Sequence, residues 1–283
     1  MLEIVKDAII DSIKLLPFLF ITYLLMEYIE HKTSKKAKDT VKKSGKYGPA
    51  IGSILGIFPQ CGFSVSATNL YSARVITLGT LIAVYLSTSD EMLPIFISEA
   101  VPIMIILKIL AIKLIIGMIA GFIIDLILKA RNKNQEEKRI VDICEKEHCH
   151  CEHGIIKSAL KHTLHIFIFI LSITLVINII ISFVGEEKIA SFLLGNSIIA
   201  IFIAGVIGLI PHCAASVIIT KLYLAGIINV AILITGLLVS AGAGLMVLYK
   251  TNKGLKENIK ITVLLYGIGV LAGLIIQLIG IQI

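Results

Sequence analysis

The sequence predicts an all-α polytopic integral membrane protein: two inverted repeats of about five segments each, with helices broken at Pro-x-Cys near the membrane midplane. Three observations lead there. Of 283 residues 57% are hydrophobic and 16% charged, with a mean hydropathy of +0.96, which excludes an ordinary water-soluble domain. Runs free of Asp, Glu, Lys and Arg cover Tyr47–Ala73, Ile189–Thr220, Leu222–Tyr249 and Ile261–Ile283, each longer than the ~20 residues that cross a bilayer. Their continuous Ile, Leu, Val, Ala and Gly lack the period-two alternation of barrel strands. Third, a shift of 152 residues aligns the chain with itself: Gly56–Leu86 matches Gly208–Leu238 at 13 of 31 positions, and Gly117–Ile127 matches Gly269–Ile279 at seven of 11. The shared Pro, Cys, Ser, Thr and Tyr are not explained by hydrophobicity alone.

Taken in order, Ile9–Ile29 opens the first repeat and carries Asp11 and Lys14. Pro49–Phe58 then enters, the chain breaks at Pro59-Gln60-Cys61-Gly62, Phe63–Ala73 returns and Val75–Ser87 crosses. Pro59 has no amide hydrogen for a helix ladder and Gly62 permits a turn. Broken backbone inside a membrane survives only where it is buried in protein or lines a cavity. Met104–Leu128 closes this half, with Lys108 and Lys113 blurring the boundary within Leu93–Lys113. In the second half His162–Val184 opens, the break recurs at Pro211-His212-Cys213 with Ala214 in the glycine's place, and Ile261–Gln282 closes. Counting each broken segment as two gives ten, with both termini outside. The domains are therefore a first membrane repeat (1–128), a cytoplasmic Cys/His-rich linker (129–161) and a second membrane repeat (162–283). The N-terminal MLEIVKDAIIDSIK lacks a small-residue cleavage site and reads as a retained helix.

Charge sets the topology. Nineteen of 26 Lys and Arg fall in His31–Tyr47, Lys129–Lys161 and Lys250–Lys260, whereas Ser87–Glu99 and Gly185–Asn196 are acidic. The positive-inside rule puts the basic stretches in the cytoplasm. Ser87–Glu99 and Val239–Thr251 read as equivalent connections on opposite faces, so the repeats are inverted, an arrangement that recurs in transporters. The net charge of +7 is thus topological: the partners it implies are the lipid bilayer and its anionic headgroups, not nucleic acid. Five cysteines, split between membrane and linker, do not form a disulfide framework.

The two breaks carry the chemistry. Pro59-Gln60-Cys61-Gly62-Phe63-Ser64 and Pro211-His212-Cys213-Ala214-Ala215-Ser216 each offer a thiol, a hydroxyl three residues on, and freed carbonyls. Facing one another, Cys61, Cys213, His212, Gln60, Ser64 and Ser216 make a substrate site for Zn(II), Cu(I) or trivalent arsenic, softer than Mg(II) or Ca(II); the alternative is two packing kinks. Glu27 and His31 share a helix face and serve either as a metal or proton relay or as a polar cap. Cys144, His148, Cys149, His150, Cys151 and His153 form a metal-binding composition on a linker. His162 and His165 are relay or interfacial residues. Asp125, matched by Gln277, is either a coupling carboxylate or a helix-end charge. Asn69 and Arg74 read as interface residues, and the Gly117–Gly121 and Gly242–Gly244 spacings as packing surfaces.

Walker-type, Gly-x-Ser-x-Gly and His-Glu-x-x-His motifs are absent from the sequence, so it reads as a non-enzyme that is ion-coupled or borrows an ATPase. No resident cofactor is expected; the metal or metalloid ion is substrate. Glu-Tyr-Ile-Glu-His at 27–31, the paired Pro-x-Cys-x-x-Ser elements, His-Cys-His-Cys-Glu-His-Gly at 148–154 and Ser-Ala-Leu-Lys-His-Thr at 158–163 resemble the ten-span heavy-metal exporters. Members of that family also carry the labels arsenic efflux protein and manganese transporter, and they are similar to arsenic permeases. The resemblance covers nearly the whole chain and implies metal or metalloid efflux across a prokaryotic cytoplasmic membrane. Two other readings stay open: a manganese or other divalent-cation transporter using Glu27, His31 and Asp125, and a membrane metal sensor or accessory subunit working through the linker.

Overall fold

The computed structural model describes residues 9–10, 13, 16–17, 19–21, 23–24, 47–59, 61–89, 91–131, 155–184 and 198–280, and every regular element among them is helical. Between residues 9 and 24 the described residues belong to the opening helix. The first half continues with α1 (Gly48–Gly56), α2 (Cys61–Ser72), α3 (Leu78–Ser87), α4 (Met92–Ser98) and α5 (Ile103–Arg131). The second contains α6 (Ile155–Val184), α7 (Ile198–Gly208), α8 (Cys213–Leu224), α9 (Val230–Val239), α10 (Ala243–Thr251) and α11 (Leu255–Ile279). Shifted by 152 residues, α2 coincides with α8 and α3 with α9 from end to end, and α1, α4 and α5 overlap α7, α10 and α11.

Local chemistry explains the coincidence. Thr77 caps α3 by accepting the Thr80 amide at 3.1 Å, and Asn229, its equivalent, caps α9 by accepting the Ile232 amide at 3.0 Å. Each cap is braced from the closing helix of its own half. Thr77 Oγ1 donates to Asp125 Oδ2 at 2.6 Å and the Gly79 amide to Asp125 Oδ1 at 2.8 Å, while Asn229 Nδ2 donates to Gln277 Oε1 at 2.7 Å. Before each cap the chain reverses through a left-handed residue, Arg74 (φ 59°) in one half and Gly226 (φ 72°) in the other.

α3 lies between α1 and α5, and α9 between α7 and α11. Small residues permit the approach: a Cβ added to Gly121 of α5 would lie 2.6 Å from the Gly79 carbonyl of α3. This bears out Gly117–Gly121 as a packing surface. The halves also exchange partners, α2 packing against α10 and α8 against α4. Residues 230–248 are buried throughout, whereas α5 and α11 turn Leu126 (71% exposed) and Leu278 (85%) outward. An apolar helix buried on every side belongs to the protein interior, and outward Leu and Ile on the long helices suit lipid contact.

Two expectations are corrected. Ser87–Glu99 and Val239–Thr251, read as connections, contain α4 and α10, with Met92, Phe96, Val247 and Leu248 fully buried. Pro94 lies in the first turn of α4, where a helix needs no amide donor. The small residues before α10 serve a break at Gly242 (φ 54°) followed by close packing at Gly244. α1 packs chiefly on α3 and α5 of its own half, and α2 on α10 of the other. The blurred Leu93–Lys113 boundary resolves into the end of α4 at Ser98 and the start of α5 at Ile103, which places Lys113 inside α5.

Candidate functional site

At 12 residues each, α2 and α8 are about 18 Å long, roughly half the depth of a bilayer's hydrocarbon core. Each begins at its cysteine. The first turn is built identically in both halves: Ser64 Oγ donates to the Cys61 carbonyl at 2.8 Å, and Ser216 Oγ to the Cys213 carbonyl at 2.8 Å. The two starts face one another, and Cys61 Sγ lies 3.1 Å from Cys213 Sγ. Both thiols are half-buried and free of disulfides, while Ser64, Ser216 and His212 are buried. Helix N-termini carry partial positive charge from unbonded amides, so two of them converging favour an anionic sulfur or an anionic ligand between them.

His212 is the N-cap of α8, with Nδ1 accepting the Ala214 amide at 3.0 Å. In the neutral ring this assigns the proton to Nε2. The imidazole therefore caps the helix that carries Cys213.

The thiols rest on a polar frame that sequence reasoning did not single out. Thr68 Oγ1 donates to the Ser64 carbonyl at 2.7 Å and stands 2.5 Å from the Tyr85 hydroxyl, which donates to the Gly244 carbonyl at 3.1 Å. All three residues are buried, and together they tie α2, α3 and α10. On another side Cys61 borders an apolar cluster that includes Leu19 and Tyr23 of the opening helix, Ile166 and Ile170 of α6, and Val247 of α10. Tyr23 donates to Asn69 Oδ1 at 3.4 Å, which bears out Asn69 as an interhelical residue. Thr68 and Tyr85 were detectable only as hydroxyls within apolar runs, a weak signal.

The remaining sequence candidates divide clearly. Asp125 is the brace for the α3 cap. His165 is exposed on α6, and nothing is described of the His162 side chain. Gln60, Glu27, His31, Cys144, His148, Cys149, His150, Cys151 and His153 lie outside the described residues. Among the described residues no three of His, Cys, Asp and Glu gather into a group able to hold a metal ion. Thiol sulfur is a soft donor, better suited to thiophilic ions than to Mg(II) or Ca(II).

Comparison with known proteins gives one family. A family model described as "Putative, 10TM heavy-metal exporter" matches residues 1–184 and 126–249. No curated protein and no solved structure matches the chain.

Proposed function

Because the chain belongs to this family of ten-span heavy-metal exporters, multi-span membrane transporters by description, we propose that it exports a thiophilic metal or metalloid ion, trivalent arsenic or a soft or borderline metal such as Cu(I) or Zn(II), through the Cys61–Cys213 pair. The observation that carries this reading is the 3.1 Å approach of two thiols from equivalent positions of the two halves. An ion about 2.3 Å from each sulfur is accommodated when the thiols part by less than about 1 Å. Manganese prefers carboxylate, carbonyl and water oxygen, and the Asp125 carboxylate is already engaged by Thr77 and Gly79.

In the proposed cycle the linker residues Cys144–His153 capture the ion on the cytoplasmic face of a prokaryotic membrane and pass it to the broken helices. The thiols, one from each half, close on it, and relative movement of the halves opens the opposite face. In this cycle export against a gradient draws on a coupling ion, and the sequence carries no Walker motif of its own. Ser64 and Ser216 hold the cysteine-bearing turns, and His212 fixes the start of α8.

The test is uptake of arsenite, Zn(II), Cu(I) and Mn(II) into inverted vesicles, with and without a pH gradient. Accumulation of a soft species that disappears in the Cys61→Ser/Cys213→Ser double variant is expected. Manganese-selective uptake indifferent to those substitutions would sink the assignment.

A further inference from the structure

Lys113 lies within α5 and is 0% exposed, although its neighbours in sequence are Ile112 and Leu114. Its ammonium donates to two backbone carbonyls, those of Thr88 and, at 3.1 Å, Leu237. Thr88 is the C-cap of α3, and Leu237 belongs to the last turn of α9. These are the same helix in the two repeats. The last carbonyls of a helix lack intrahelical donors and carry partial negative charge. One ammonium therefore joins the negative ends of two equivalent helices, one from each half.

The arrangement is one-sided. The residue aligned with Lys113 is Leu265, also 0% exposed. At the α9 end Ser240, aligned with Thr88, is 3% exposed, and its hydroxyl has no hydrogen-bond partner among the described residues. Carbonyls at helix C-termini, supplemented by a hydroxyl, are the ligands with which membrane transporters hold alkali cations. A buried ammonium persists only where such ligands replace its water.

We propose that Lys113 is a tethered cation, filling a monovalent-cation site between the C-terminal ends of α3 and α9 and holding the two halves in register during transport. Its consequence for flux rests on the exporter reading; the cation site itself does not. Lys113 is thus a positioning residue, and the ligand class that replaces it is a small monovalent cation.

The test compares wild type, Lys113→Ala and Lys113→Met in proteoliposomes containing N-methylglucamine, Na+, K+ or ammonium as the only monovalent cation. Wild-type flux of the exported ion is expected to ignore the choice. Lys113→Ala should lose at least about tenfold in N-methylglucamine and recover several-fold in Na+ or ammonium, because a cation that binds the folded state restores what the side chain supplied. Lys113→Met, which fills the space with an apolar chain, should be inactive in every cation. Thermal unfolding in detergent gives a second readout, with Na+ or ammonium raising the Tm of Lys113→Ala but not that of wild type. If the alanine variant does not accumulate, Lys113→Ser serves in both measurements. Full activity of Lys113→Met, or alanine and serine variants whose flux and Tm ignore every cation, overturns the proposal. If wild type moves no metal or metalloid ion the exporter reading fails, and the Tm comparison still decides the cation site.

Discussion

Cys61 and Cys213 are separated by one full repeat of sequence and by 3.1 Å in space. The contact lies between the first turns of two half-length helices, so it reports directly on how the halves meet. In a background with Cys144, Cys149 and Cys151 changed to serine, a mild thiol oxidant should join Cys61 to Cys213. Protease cleavage within residues 129–161 would then leave the two fragments linked on a non-reducing gel and separate on a reducing one. A trivalent dithiol-selective arsenical should block that cross-link. Fragments that separate without reductant would show that the thiols do not meet in the membrane.

Asp125 offers a sharp choice between coupling and structure. Its carboxylate takes the Thr77 hydroxyl at 2.6 Å and the Gly79 amide at 2.8 Å, while the second half does the equivalent work with the neutral amide of Gln277. Asp125→Asn keeps an acceptor oxygen and should retain proton-dependent transport. Asp125→Ala removes the brace of a capped helix and should cost about 1–2 kcal/mol of stability. Loss of proton dependence in Asp125→Asn, with stability intact, would assign the carboxylate to coupling instead.

Much of this architecture is legible in the sequence because the landmarks are polar residues standing out in an apolar background. Pro59, Cys61 and Ser64 recur as Pro211, Cys213 and Ser216, and both helix caps fall on the aligned pair Thr77 and Asn229. The half-length helices α4 and α10 are not legible, since they are as short as loops and begin among Pro94 or Gly242 and Gly244. Nor does hydropathy separate buried 230–248 from outward-facing α5, because lipid and protein core are equally apolar. Lys113 was visible only as an interruption; its carbonyl partners come from α9 and from the residue after α3, neither adjacent to it in the chain.

Arg74 and Glu257 supply a latch between the halves. The guanidinium donates to both carboxylate oxygens, at 2.8 and 2.9 Å, and Tyr71 donates to the same carboxylate at 2.5 Å. Hydrogen bonding to Glu257 raises the Arg74 pKa further above its ordinary value, so the guanidinium stays charged at every physiological pH. Its side chains are 36% and 35% exposed, and solvent screening limits such a pair to about 0–1 kcal/mol. Against that stands the left-handed backbone of Arg74, a conformation costing a non-glycine residue roughly 1 kcal/mol. Arg74→Gly, which copies Gly226, should therefore be close to neutral in Tm, while Arg74→Ala keeps the strain, loses the pair and should be the least stable of the three. An alanine variant as stable as the glycine variant would remove the strain from the account.

α10 comes close to the thiol-bearing helix α2 at Gly244. A Cβ there would stand 2.9 Å from Ser64 Cβ and 3.0 Å from the Ser64 carbonyl oxygen, and neither neighbour is the end of a flexible chain. The Gly244 carbonyl also receives Tyr85 at 3.1 Å, so moving α10 away from α2 disturbs that bond as well as the packing. Gly244→Ala should cost about 1–3 kcal/mol through overpacking, read as a fall in Tm. Because Ser64 belongs to the first turn of α2, the same displacement shifts Cys61, and the oxidative yield of the Cys61–Cys213 cross-link should fall together with stability. Gly267→Ala is the control, since a Cβ at Gly267 of α11 meets nothing within 4 Å and should leave the cross-link unchanged. Equal cross-linking in the two variants would mean that α10 does not set the position of the thiol.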